Sequence, residues 1–199
     1  MIRLFLKSHG VLVWNYANGN DISAVRVNRR TMIKGIGNST TIPFDVEDAT
    51  TAHLVLLSLT ESVASRLRQT EYCARLVSVS LRTNEFYSCS HQRKIASAID
   101  CTNAIHEVAC ELFDELWKGE PVRHLGVRVS ELCRNDFMQL SLFEKDYGKH
   151  RAVDRTIDSI RERFGTDAVF RSSFLNSGLR FRSGGTVDDE EYPMMSSIL

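Results

Sequence analysis

The feature that most constrains this chain is the order in which two hydrophobic periodicities alternate between Asn38 and Leu132. Thr40 to Phe44 is a short β-rich run. Asp48 then stands where it can cap a helix from Ala49 to about Gln69, with Leu56, Leu59, Val63 and Leu67 on its apolar face. From Arg75 to Arg82 the period falls to two, with Val77, Val79 and Leu81 alternating against Ser78, Ser80 and Arg82. A polar turn at Thr83-Asn84-Glu85 leads into a returning strand from Phe86 to Ile95. The helical period resumes over Thr102 to Trp117, with Ile105, Val108, Ala109, Leu112 and Leu116 inward, and Lys118-Gly119-Glu120-Pro121 stops it. Val122 to Leu132 alternates once more, placing Leu125, Val127 and Val129 opposite His124, Arg128 and Ser130. The order β-α-β-β-α-β predicts an α+β fold, a four-stranded antiparallel sheet with both helices on one face and the other face open.

The flanks read differently. Ile2 to Ala17 is rich in Leu, Val and aromatic residues and is followed by Asn18-Gly19, which predicts a helix and its left-handed stop. Residues 22–37 form a basic connector containing Arg26, Arg29, Arg30 and Lys34. Beyond Leu132 come a polar spacer, the apolar segment Gln139-Leu140-Ser141-Leu142-Phe143, and an amphipathic helix bearing Val153, Ile157, Ile160 and Phe164 before Gly165. The acidic tail after residue 178 is expected to be disordered.

No run reaches the roughly 18 apolar residues that a membrane helix requires, and Met1 to Leu6 lacks a secretion-signal pattern, so a cytoplasmic location is expected. The five cysteines show no C-x-x-C spacing, which signals neither a disulfide framework nor a zinc knuckle. His106 and Cys110 stand at i, i+4, and without further ligands at suitable spacing they read as a surface histidine beside a buried thiol. Gly35-Ile36-Gly37 precedes a strand and lacks a third glycine, so it is not a dinucleotide loop.

A formal net charge of zero excludes the simplest argument for a nucleic-acid binder, and distribution has to carry it instead. Glu61, Glu107, Glu111, Asp114 and Glu115 lie on the helices, whereas the strands hold Arg75, Arg82, Arg93, Lys94, Arg123 and Arg128. A face of Ser78, Ser80, Arg82, Ser88, Ser90, Gln92, Lys94 and Arg128 offers cations and small hydroxyls to phosphate oxygens. An ordinary solvated sheet face has the same composition. Gln139 to Phe143 likewise admits two readings, an edge strand with Met138, Leu140 and Leu142 on one side, or a linear peptide that docks Leu142 and Phe143 in a partner's pocket.

Six stretches, in order, resemble the Y-family (DinB/UmuC-type) translesion DNA polymerases. Gly10, Val13, Trp14, Ala17, Gly19 and Asp21 are similar to the end of the family's thumb, and Lys34 to Thr41 resembles its K-S-I-G-x-E-x-T junction, with Ser39 in place of the common Glu. Ser90 to Ile95 stands where T-R-S-R-T-L is usual, and Val122 to Ser130 resembles I-R-L-L-G-V-R-V-S. Gln139 to Phe143 matches the Q-L-S/D-L-F sliding-clamp motif, and Ala152 to Leu175 is similar to the tail of UmuC-like members.

The resemblance implies an end of thumb (1–21), a linker (22–37), a little finger domain (38–132), a clamp-binding segment (133–148), a helix with its extension (149–178) and a tail (179–199). It implies DNA contacts from Lys34, Ser39, Thr41, Ser78, Ser80, Arg82, Ser88, Ser90, Gln92, Arg93, Lys94, Arg123 and Arg128, and clamp contacts from Gln139, Leu140, Ser141, Leu142 and Phe143. The partners expected are primer-template DNA, bound without sequence preference, and the bacterial sliding clamp. The implied work is translesion synthesis and DNA repair within the SOS response. The family's metal-binding carboxylates lie in palm and fingers, which this sequence lacks, so the chain is expected to be catalytically silent and to need no cofactor, magnesium serving the absent part. Two rivals stand beside this expectation, an inactive paralogue acting as a clamp-bound adaptor and an RNA-binding α+β regulator. The second lacks the aromatic R-G-F-G-F-V run on which such domains stack bases.

Overall fold

The computed structural model describes residues 2–21, 33–134, 147–175 and 177–179, with side chains of the first helix described from His9 onward. The chain divides into two compact units, Met1–Met32 and Ile33–Leu199. In the first, α1 (Ile2–Ala17) ends as its sequence predicts. Asn18 donates its side-chain amide to the Trp14 carbonyl at 2.7 Å, and Gly19 takes a positive φ of 74°.

The second unit contains β1 (Gly35–Val46), α2 (Ala49–Gln69), β2 (Tyr72–Thr83), β3 (Ser88–Ile99), α3 (Thr102–Leu116), β4 (Val122–Arg134), α4 (Gly148–Phe164) and a short 3-10 turn, Ser172–Phe174. Its strands form one antiparallel sheet in the order β1-β4-β2-β3. α2 begins where Asp48 accepts the Thr51 amide at 2.8 Å, and its Leu56, Leu59, Val63 and Leu67 are all buried. They pack with Ile105, Ala109, Leu112 and Phe113 of α3 over Val77, Val79, Leu81, Leu125, Val127 and Val129 of the sheet. This is the single apolar face that the alternation required.

All four strands are longer than the alternating runs suggested. β1 starts at Gly35, inside the stretch read as a linker and five residues before Thr40, and Pro43 falls where its register against β4 slips between Thr41 and Val46. Proline, lacking an N–H, is tolerated there because β1 is an edge strand. β3 continues to Ile99 across a bulge, with Leu76 facing Lys94 but Ala74 facing Ile99.

α4 departs from the simple amphipathic reading. Val153 and Phe164 are exposed, while Asp154 and Arg161 on the adjoining side are buried. Arg68 of α2 takes Asp158 through two hydrogen bonds of 2.6 and 3.1 Å and reaches Asp154 at 3.3 Å. Asp154 also accepts the Thr102 amide at 2.7 Å, satisfying the start of α3, whose own N-cap Cys101 makes no side-chain cap. Arg151 holds Asp100 at 2.6 Å. The helix is seated by charge and hydrogen bonding rather than by an apolar stripe.

His106 is a further correction. It is half-buried rather than on the surface, its Nε2 lying 3.0 Å from the His53 carbonyl and 3.2 Å from Cys110 Sγ, and burial pushes its pKa down. Burial likewise pushes the Cys110 thiol up to about 12, so it stays protonated at neutral pH.

Candidate nucleic-acid interface

The registers of the three strand pairs place the outward residues of the sheet in four rows. Thr41, His124, Arg82 and Ser88 form one row, and Ser39, Gly126, Ser80 and Ser90 the next. Gly37, Arg128, Ser78 and Gln92 follow, and then Gly35, Ser130, Leu76 and Lys94. Directly opposed residues in a sheet point to the same side, so the rows are a consequence of register alone. Ser39, Thr41, Ser78, Ser80, Arg82, Ser88, Ser90, Gln92, Lys94 and Arg128 therefore share the open face, as expected.

Arg93 does not. Its parity is that of Val77 and Val129, which it faces across the sheet, and its guanidinium reaches over α3 to Glu111 and Glu115. Arg123 also lies off the face, bonded at 2.9 Å to Asp45. The resemblance implies DNA contacts from both, but a shift of one residue along a strand moves a side chain to the opposite side. Lys34 is exposed immediately before β1. Among the described residues Lys34, Arg82 and Arg128 have no carboxylate partner, whereas Lys94 pairs with Glu131 at 2.7 Å. Ser78 is already engaged, its hydroxyl donating to the Arg128 carbonyl at 3.3 Å.

Three glycines missed as site residues shape the face. A Cβ on Gly126 would lie 2.7 Å from Ser80 Oγ and 3.1 Å from Ser39 Cβ. On Gly35 it would meet the Val129 carbonyl at 2.7 Å and Arg128 Nε at 3.1 Å, and on Gly37 it would crowd Arg128 Cβ at 3.2 Å. The Arg128 side chain thus runs along a strip of edge strand kept bare. For Gly126, glycine inside an alternating strand was the available signal, because it marks a close approach. His124 was missed as well. Its Nδ1 lies 3.2 Å from Thr41 Oγ1, and burial together with the Arg82 charge lowers its pKa.

Such a surface has small side chains at its centre, cations on either side of it and no bulky group among its serines. It can approach an anionic backbone closely while presenting few groups that distinguish one base from another. Among the described residues no group of three or more His, Cys, Asp or Glu could hold a metal ion, and no helix is long and apolar enough to cross a membrane. The segment Gln139-Leu140-Ser141-Leu142-Phe143 lies outside the described residues.

Fold and face together define an α+β domain of one antiparallel sheet backed by two helices, its other side open and cationic. Residues 33–142 match the impB/mucB/samB family C-terminal domain, and the chain belongs to that family. It is 39% identical over 176 residues to the DNA polymerase IV of Clostridium acetobutylicum, covering 88% of this chain and 44% of that protein. It is 36% identical over 173 residues to DNA polymerase IV 2 of Bacillus subtilis strain 168, covering 85% and 42%. The chain therefore spans less than half the length of these relatives. A solved complex of the beta-clamp processivity factor with the little finger domain of PolIV is similar at a TM-score of 0.44 and 19% identity, covering 55% of this chain and 99% of that one.

Proposed function

We propose that the chain is the DNA-binding, clamp-tethering C-terminal portion of a Y-family DNA polymerase that acts in translesion synthesis and repair in the cytoplasm. The observation that carries this reading is the open face, where Arg82 and Arg128 stand in separate rows on either side of the Gly126 and Ser80 positions. Phosphate oxygens could approach that bare centre while both guanidiniums engage the backbone. Contacts of this kind do not depend on sequence, which suits an enzyme that must work wherever a lesion lies. Gln139 to Phe143 would tether the enzyme to the sliding clamp, so that two weak attachments act as one stronger attachment. Nucleotidyl transfer with magnesium belongs to the rest of such an enzyme, and this chain alone is expected to extend no primer.

The test is binding of the purified chain to fluorescent primer-template DNA of two unrelated sequences across a salt series. Equal affinity for both, falling as salt rises, is expected. Replacing Arg82 and Arg128 by Gln should lower the slope of log K against log salt by about one per cation removed. Binding indifferent to salt, or unchanged in the double variant, would exclude this face.

A further inference from the structure

At the end of the sheet opposite the β2–β3 turn, Cys73 of β2 faces Cys133 of β4. The register here is continuous from Tyr72↔Arg134 to Arg82↔His124, so the pairing is set by the whole strand. Opposed residues of antiparallel strands have Cα atoms about 4.5 or 5.5 Å apart, both within the roughly 4.4–6.8 Å that a disulfide spans. Cys133 Sγ already lies 3.7 Å from the Cys73 carbonyl oxygen. The other thiols are placed elsewhere, Cys89 opposite Leu81, Cys101 at the start of α3 and Cys110 within it.

We infer that Cys73 and Cys133 are a reversible oxidation site, closing to a cross-strand disulfide in the presence of a peroxide and reopening with a thiol reductant. Cys73 is buried and Cys133 half-buried, so the peroxide meets Cys133 first. Its sulfur attacks one peroxide oxygen, the O–O bond breaks, and a sulfenic acid and one water result. Cys73 Sγ then attacks that sulfur, the S–O bond breaks, and the thiol proton leaves with the hydroxide as a second water. Two thiols and one peroxide give one disulfide and two waters.

Arg151 Nη2 stands 4.0 Å from Cys73 Sγ and favours the thiolate as it forms. Against it, burial and Asp100 push the Cys73 pKa up to about 11, which slows the second step. The bond would fasten the start of β2 to the end of β4, immediately before residues 135–146. The pairing is independent of whether the open face grips DNA.

The reduced chain is treated with hydrogen peroxide, alkylated and mapped by mass spectrometry without reductant. A peptide joining Cys73 to Cys133, lighter by two hydrogens and released by dithiothreitol, is the expected product. The oxidised chain should unfold at a higher urea midpoint, because the link restricts the unfolded state. In Cys73→Ala, Cys133 should instead be trapped as a dimedone adduct. A Cys73–Cys101 link, a chain-to-chain link through Cys133, two unreacted thiols, or a lowered midpoint would each overturn the inference.

Discussion

Arg161 Nη2 on α4 lies 2.8 Å from Glu61 Oε2 on α2, both side chains are buried, and Arg171 Nε closes on the other carboxylate oxygen at 2.6 Å. One carboxylate thereby holds two cations from the C-terminal extension. Replacing Glu61 by Gln breaks a buried ion pair with Arg161 and is expected to cost about 3–5 kcal/mol. Arg123→Gln, which opens only the exposed pair with Asp45, should cost under about 1 kcal/mol. Urea unfolding of both variants measures the difference.

Gly35→Ala puts a methyl 2.7 Å from the Val129 carbonyl, which is backbone and has little freedom to yield. A loss of about 1–3 kcal/mol is expected, with weaker DNA binding because Arg128 is displaced. At Gly126 the nearest atom is the rotatable Ser80 hydroxyl, so Gly126→Ala should be the milder change in thermal unfolding.

His106 and His124 both have pKa values below the ordinary 6.5, each chiefly through burial. Near and below that pH the unfolded chain therefore binds more protons than the folded one. Their contribution to stability is fully present above 6.5 and is lost as the pH falls through their depressed values. Urea midpoints taken from pH 7.5 down to pH 5 should decline, and His106→Gln should flatten the decline.

Replacing Leu142 and Phe143 with Ala should abolish binding to the sliding clamp while leaving the unfolding midpoint and DNA affinity unchanged. Burial of the two side chains is worth about 1.5–3 kcal/mol each, a large part of a micromolar interaction. Titration of labelled clamp checks this. If the double variant unfolds, the segment is an internal strand instead.

The fold was legible in the sequence because periods of two and 3.6 residues each force one face inward, and Val77, Leu81, Leu125 and Val129 obey that rule without exception. Ser80, Arg82 and Arg128 followed from the same parity. Arg93 and Arg123 lie off the open face, and positive charge along a strand carries no information about side. Gly35 and Gly37 were hidden because glycine has no periodic signature, and its meaning came only from the neighbour it lets in. The seating of α4 was illegible for a related reason. Asp154, Asp158 and Arg161 look like a solvated helix face until Arg68 and Glu61 are brought against them.

The strand order has a consequence for how the chain acquires its structure. β1 is made first among the strands, yet its sheet neighbour is β4, made last, with Gly35 opposite Ser130. Only β2 and β3 can pair through a short hairpin. Until β4 arrives between them, β1 and the hairpin share no strand pairing, and closing that long loop precedes any gain from the pairing it permits. Refolding should therefore be slow for a domain of this size, with β1 the last strand to gain protection in pulse-labelled hydrogen exchange.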